Sequence, residues 1–261
     1  MENLNNIEKP INNSGQIDLL VSPPPEIKGY IYSNQDELWG ARQVIGFGDK
    51  TFYIKEIDRD LANDIIKKNH YSKKFYSATY IHLGVFAADE LKGVLQYGYA
   101  MNPASQEGVV QKTAIDEYLE LNRMWLDDCL GRNSESKAIS YSIKYIKERY
   151  PKIGWIQSFA DERCGKYGVV YQAANFEYYG EHTAVFWTLD NVVYHNILMT
   201  CAPGTKRYSG QTKYLQENKD RATKETLRQF RYIYWVKRQK RKNVVLTVRP
   251  YPKHYLEKGS G

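Results

Sequence analysis

Hydrophobic positions in this chain switch between a period of two and a period near four, and the switches mark out short elements. Thr51 to Ile57 alternates as a strand. Asp58 then stands where an N-cap belongs, ahead of a helix to about Asn69 with Leu61, Ile65 and Ile66 on one face. Thr79 to Ala88 and Leu91 to Ala100 read as two strands joined at Asp89-Glu90, a hairpin. Ile115 to Leu126 is a further strand. Ser134 is placed to cap a helix through Arg149, with an apolar stripe of Ala138, Ile139, Ile143 and Ile146, and Pro151 stops it. Lys152 to Phe159 then reads as a strand and Gly168 to Ala174 as a short helix. Strands near Phe176–Gly180, Thr183–Leu189 and Val192–Met199 follow. The order predicts an α/β fold with a mixed sheet and helices on its faces.

Residues 1–28 lack this periodicity and end in Pro23-Pro24-Pro25, which predicts a flexible leader. The polar start has neither the basic residues nor the apolar stretch of a signal peptide, so a cytoplasmic protein is expected. No apolar run reaches the roughly 18 residues of a membrane span. Cys129, Cys164 and Cys201 are odd in number and widely spaced, which fits neither a disulfide framework nor a CxxC zinc site. The five histidines include no HxH or HxxxH pair, although His70 is a candidate ligand or proton carrier.

Charge changes the picture at the C-terminus. The chain has 37 Lys+Arg against 30 Asp+Glu, a net +7. Residues 201–261 alone hold 16 cations against 4 carboxylates, so the excess sits in the tail. There Arg228, Arg231, Lys237, Arg238, Lys240, Arg241 and Lys242 interleave with Tyr232, Tyr234 and Trp235. Cations neutralise phosphates and flat rings meet bases, so these seven residues are candidates for contact with nucleic acid. A strand from Phe230 to Val236 with alternate residues buried explains the same pattern without a ligand.

The densest motif runs from Phe159 to Phe176. A strand ends at Asp161, a glycine-containing turn follows, and a short helix ends at Asn175. Tyr171-x-x-x-Asn175-Phe176 resembles the Tyr-x-x-x-Gly-Phe segment of GNAT-type acyltransferases, with Asn in the Gly position. In that family a glycine loop before the preceding helix holds the pyrophosphate of coenzyme A at the helix N-terminus. The corresponding residues here are Gly131, Arg132, Asn133 and Ser134, with one glycine where the family has two.

Four segments together narrow the resemblance: His70-Tyr71-Ser72, Leu121 to Trp125, Asp161 with its turn, and Tyr171 to Phe176. Along with Arg228-Gln229-Phe230-Arg231-Tyr232 and Arg249 to Lys253, they resemble the phage Mom family over about residues 58–253. The resemblance implies a GNAT-like fold, a mixed and mainly antiparallel central sheet flanked by helices. It implies conversion of adenine in phage DNA to N6-carbamoylmethyladenine, which protects the DNA from host restriction enzymes in the infected bacterium. It places Tyr71, Arg123, Asp161 and Tyr171 in the catalytic site, with acetyl-CoA or another activated donor, and it leaves iron open.

Side-chain chemistry suits those roles. Tyr71 and Tyr171 can stack on a purine or donate hydrogen bonds, Asp161 can accept the N6 proton, and Arg123 can hold an oxyanion, carboxylate or phosphate of the donor. Each residue also has a structural use: Arg123 can pair with Asp127 or Asp128, and Asp161 can cap its turn. The organisation expected is a leader and N-terminal extension over 1–50, a catalytic domain over 51–200, and a basic, DNA-contacting extension over 201–261 packed on it. Two other readings fit the same segments: a GNAT N-acyltransferase acting on a small amine or protein, and a non-catalytic DNA-binding protein on a GNAT scaffold.

Overall fold

The computed structural model describes residues 30–35, 42–165, 167–205 and 208–253; the leader 1–28 lies outside them. The strands are β1 (Tyr30–Gln35), β2 (Arg42–Gly48), β3 (Phe52–Glu56), β4 (Thr79–Ala87), β5 (Glu90–Gly98), β6 (Tyr118–Leu126), β7 (Trp155–Asp161), β8 (Glu177–Leu189), β9 (Val192–His195) and β10 (Thr223–Trp235). The helices are α1 (Arg59–Asn69), α2 (Ser134–Arg149), α3 (Val169–Ala173), α4 (Asn196–Met199) and α5 (Gly210–Glu217). Among the described residues the strands form one sheet in the order β1-β2-β3-β4-β5-β6-β7-β10-β8-β9. Neighbours run antiparallel except β6 and β7, which α2 connects in parallel. This is the α/β class expected, a mixed and mainly antiparallel sheet flanked by helices. No described helix is long and apolar enough to cross a membrane.

Local chemistry explains most boundaries. Asp58 caps α1 by accepting from the Asp60 amide at 2.9 Å. The buried face of α1 is Ala62, Asn63 and Ile66, against Val94, whereas Leu61 is 45% exposed. Leu61 lies about 100° around the helix from Ala62, which takes it off the stripe the sequence suggested. The β4–β5 hairpin turns on Ala88 and Asp89, both left-handed, one residue earlier than expected. Asp190 and Asn191 make the same kind of turn between β8 and β9. Such paired positive φ angles match the twist of a two-residue hairpin. The chain from Asn196 to Met199 then coils as α4 instead of prolonging β9.

The expected stripe of α2 (Ala138, Ile139, Ile143, Ile146) is buried. It packs in one cluster with Leu95, while neighbouring Val94 faces α1. Successive strand residues point to opposite faces, so α1 and α2 cover opposite sides of the sheet. The N-cap of α2 is Asn133, in a left-handed conformation, and not Ser134. The Ser134 hydroxyl turns back to donate to the Gly131 carbonyl at 2.6 Å.

Two expectations about domain limits change. Residues 30–48, read as leader and extension, supply β1 and β2 at the sheet edge. Residues 223–235, read as part of an appended extension, form β10 between β7 and β8. The sequence of β10 shows why it sits there. Phe230 and Tyr232 join the cluster under α2, and Ile233 and Trp235 join a second cluster on the opposite face. A strand covered on both faces needs this near-continuous apolar run. The two strands expected between Phe176 and Leu189 are one strand bent at a bulge, where Gly180 has φ +93°.

Candidate active site

The parallel pairing of β6 and β7 lasts three residues, Tyr118–Glu120 against Trp155–Gln157. Beyond it β6 continues along β5 and β7 continues along β10. The two strands therefore part at Leu121 and Ser158 and leave a wedge-shaped cleft in mid-sheet. The Ser158 hydroxyl spans its narrow end by donating to the Leu121 carbonyl at 3.2 Å.

Arg123 reaches this cleft because β6 carries a bulge. Gln96 pairs with Arg123 and Tyr97 with Leu121, so Asn122 is the extra residue. Before the bulge, Leu119 and Leu121 face α2; after it, Leu126 faces α2 and Trp125 faces α1. Alternation is reversed, and Arg123 emerges on the face of Glu120. Bulges beside sites re-aim side chains in this way. The guanidinium donates through Nε to the Lys74 carbonyl at 3.1 Å and through Nη1 to the Asn122 carbonyl at 2.7 Å. It also lies 5.8 Å from the centre of the Tyr76 ring. Asp127 and Asp128 are not its ion-pair partners: Asp127 instead accepts from the Cys129 amide at 2.9 Å.

Tyr71 follows α1 in a segment that crosses this end of the sheet. Its ring lies 4.2 Å from that of His70 and 5.8 Å from the Arg163 guanidinium. Burial pushes the phenol well above its ordinary range; the Asp161 carboxylate raises it further, Arg123 lowers it, and Tyr171 adds a smaller rise. Yet the residue as a whole is 44% exposed. A hydroxyl crowded by protein on a ring that water still reaches describes the wall of a concavity. Arg123, Asp161 and Tyr171 are thus close enough to Tyr71 to act on its phenol, although they are spread over a hundred positions of sequence.

Asp161 ends β7 and is 5% exposed. Its Oδ1 accepts from the Arg163 amide at 2.9 Å and caps a single 3₁₀ turn, Glu162–Cys164. The chain then reverses through left-handed Gly165, Tyr167 and Gly168 into α3. Tyr171 is 9% exposed, with Phe176 and Tyr232 at 5.7 and 5.4 Å from its ring. Its ring is therefore core and not a stacking surface. What it offers the cleft is its hydroxyl, which lies beside Ser158 and is pushed up to about 12 by burial. Of the two tyrosines, only Tyr71 has an exposed ring.

Sequence reasoning missed the inner end of the cleft. Glu120 accepts from Asn122 Nδ2 at 3.0 Å and from Gln157 Nε2 at 2.8 Å. Gln157 in turn accepts from Arg231 Nη1 at 2.7 Å, and Arg231 lies 4.6 Å over Phe159. Burial raises the Glu120 carboxyl above its ordinary value, offset by these amides and by Arg123 and Arg231. Arg231, expected on DNA, is thus committed to the wall of the cleft. One signal was available: a carboxylate in the middle of the apolar strand Tyr118-Leu119-Glu120-Leu121 needs internal partners. At the other end, Cys164 lies on the turn after Asp161, its thiol raised by burial and by Asp161.

The remaining candidates lie elsewhere. Gly131, Arg132 and Asn133 are exposed and lead into half-buried Ser134 at the start of α2. A helix that joins two parallel strands runs antiparallel to both, so its start returns to the sheet edge that Asp161 occupies. In the tail, Arg228 is bound by Glu162 at 2.6 Å and by Glu181 at 3.6 Å, Lys240 by Glu117 at 2.9 Å, and Arg241 by Glu177 at 2.8 Å. Lys237 donates to the Lys152 carbonyl at 3.3 Å, and Arg238 and Lys242 are exposed. Among the described residues no three His, Cys, Asp or Glu side chains converge as a metal-holding group. His70 accepts from the Ser72 amide through Nδ1 and Asp161 from the Arg163 amide through Oδ1, which leaves His70 Nε2 and Asp161 Oδ2 outside these bonds.

The mixed sheet thus parts between β6 and β7 near a phenol, a guanidinium and a carboxylate. The Mom protein family model matches residues 51–253. The chain is 47% identical over 214 residues to the methylcarbamoylase mom of Escherichia phage Mu, covering 81% of this chain and 88% of that protein. The chain belongs to the Mom protein family. Among solved structures, it resembles a ribosomal-protein-S5-alanine acetyltransferase of Vibrio fischeri (12% identity, TM-score 0.43, 73% of this chain and 96% of that one). It also resembles a GNAT-family acetyltransferase of Bacillus anthracis (10% identity, TM-score 0.41, 74% and 99%).

Proposed function

We propose that this chain is a DNA-modifying transferase that converts adenine in phage DNA to N6-carbamoylmethyladenine in the infected bacterium, shielding that DNA from restriction enzymes. Membership of the Mom family supports the reaction class, and the relative from phage Mu carries the name methylcarbamoylase. The observation that most supports the reading is the family match over residues 51–253, together with the influence of Arg123, Asp161 and Tyr171 on Tyr71.

The chemistry follows from the groups present. Adenine N6 is a weak nucleophile because its lone pair is delocalised into the ring, and it lies inside the duplex until the base is extruded. Tyr71 offers a face to replace lost stacking. Asp161 takes the N6 proton as the N6–C bond forms to the methylene carbon of the donor and the bond to the leaving group breaks. Arg123 holds the donor's carbonyl or phosphate, and the Tyr171 hydroxyl donates a hydrogen bond beside it. Acetyl-CoA delivering its carbonyl carbon would leave an amide on N6, so the donor is one activated at a methylene carbon. Gly131 to Ser134, at the start of α2, is the place for a donor phosphate.

Expression in bacteria followed by mass spectrometry of digested plasmid DNA tests this. A deoxyadenosine heavier by one carbamoylmethyl group, absent with Arg123→Ala and Asp161→Ala, is expected. Unaltered nucleosides from the soluble wild-type protein, or a modification that survives both substitutions, would overturn it.

A further inference from the structure

The cations of the tail are poorly placed to hold DNA at the cleft. Three of them are paired with carboxylates. The exposed Arg238 and Lys242 belong to a 3₁₀ turn that begins just after Trp235. Trp235 pairs with Trp155 at the start of β7, whereas Asp161 ends that strand. Six residues of extended chain separate the two ends by roughly 20 Å.

A different cationic surface adjoins the site. No Asp or Glu occurs from residue 65 to 88, while Lys67, Lys68, Lys73 and Lys74 all fall there. Lys68 and Lys73 are exposed, and Lys73 Nζ donates to the Lys68 backbone carbonyl at 2.6 Å, which sets the Lys73 ammonium beside the end of α1. Lys67, 3.4 Å from the exposed Asp64, also stands 5.0 Å over the ring of exposed Phe75. The segment is fastened to the cleft itself, since Arg123 holds the Lys74 carbonyl. Cations beside flat exposed rings match a phosphate backbone bordering unstacked bases.

We propose that the end of α1 and the segment from His70 to Ser77 form the rim that grips duplex DNA beside the cleft, with Lys68 and Lys73 on phosphates. This rests on the reading of the chain as a DNA-modifying enzyme. The contacts are to the backbone, so they position the duplex without choosing its sequence.

The test is binding of the full chain to a fluorescein-labelled duplex of about 20 base pairs across a salt series. The rim variant is Lys68→Gln with Lys73→Asn, because Asn tolerates the left-handed backbone at position 73 (φ +51°). The comparison is Arg238→Ala with Lys242→Ala. Circular dichroism confirms that each variant is folded. The rim variant is expected to weaken binding about tenfold or more and to reduce the salt slope by about two, while the tail variant changes affinity less than about threefold. A rim variant that binds like wild type, or a larger loss from the tail pair, would overturn the rim while leaving the enzyme reading intact. A wild-type protein that binds no DNA and modifies none would remove both.

Discussion

Arg123 donates to the Lys74 carbonyl across 49 residues of sequence, so one guanidinium both lines the cleft and fastens the segment carrying Tyr71. A lysine at position 123 keeps the charge but loses the planar fork that serves the Lys74 and Asn122 carbonyls together. Arg123→Lys is therefore expected to lower DNA modification about a hundredfold or more. It should also speed hydrogen exchange of the amides from 70 to 77. Protection equal to wild type there would show that the segment is held by other means.

Asp161 has two duties that substitution can separate. As Asn, its side-chain oxygen still accepts from the Arg163 amide, but it no longer takes up a proton. Asp161→Asn should fold with a Tm within a few degrees of wild type and lose about 10²- to 10⁴-fold in modification rate. Asp161→Ala should lose the rate and also about 1 kcal/mol of stability through the missing cap. Mass spectrometry of plasmid nucleosides and thermal melts distinguish the two. An Asn variant at full rate would leave Asp161 with the cap alone.

The sequence shows which polar residues matter more readily than how they meet. Periodicity located α1, α2 and the β4–β5 hairpin, and the family motifs singled out Tyr71, Arg123, Asp161 and Tyr171. Reading Arg123 onto the face of Glu120 requires the bulge at Asn122, and a single extra residue in a strand leaves no periodic signature. The ring of Tyr171 is indistinguishable in sequence from that of Tyr71, because only tertiary packing separates a core face from an open one. The tail misled for a physical reason. Its cations looked solvated, yet Phe230, Tyr232, Ile233 and Trp235 bury both faces of β10, and Glu162, Glu117 and Glu177 are the acids that meet its charges.

Gly168 supplies a stability test beside the site. It has φ +83°, and a Cβ there would run into the ring of Tyr232 and meet Ala160 Cβ at 3.1 Å. Tyr232 is fully buried and its hydroxyl accepts from Gln172 Nε2 at 3.0 Å, so the ring has little freedom to move. Gly168→Ala should cost on the order of 2 kcal/mol or more from backbone strain and overpacking together. Activity should fall as well, because α3 and Tyr171 shift with the turn. A urea unfolding curve superimposable on wild type would contradict this packing.

His70 sets an acid limb of stability. Its Nδ1 accepts from the Ser72 amide at 3.1 Å, which leaves the ring proton on Nε2 of a neutral imidazole. Burial, with Arg123 and Lys73 nearby, lowers its pKa to about 3 from an ordinary 6.5. Between those values the unfolded chain protonates His70 and the folded chain does not. The stabilisation is thus complete above pH 6.5 and declines as pH falls toward 3. At pH 5 the loss from this one group is about 2 kcal/mol. His82, His182 and His195 are lowered by burial in the same direction and share the limb, whereas lowered Asp49 acts only below about pH 4. Urea midpoints should therefore fall from pH 7 to pH 5, and less steeply in His70→Gln, where the group that the unfolded chain protonates is gone. Parallel slopes for the two proteins would show that His70 takes up its proton in the folded state as readily as in the unfolded one.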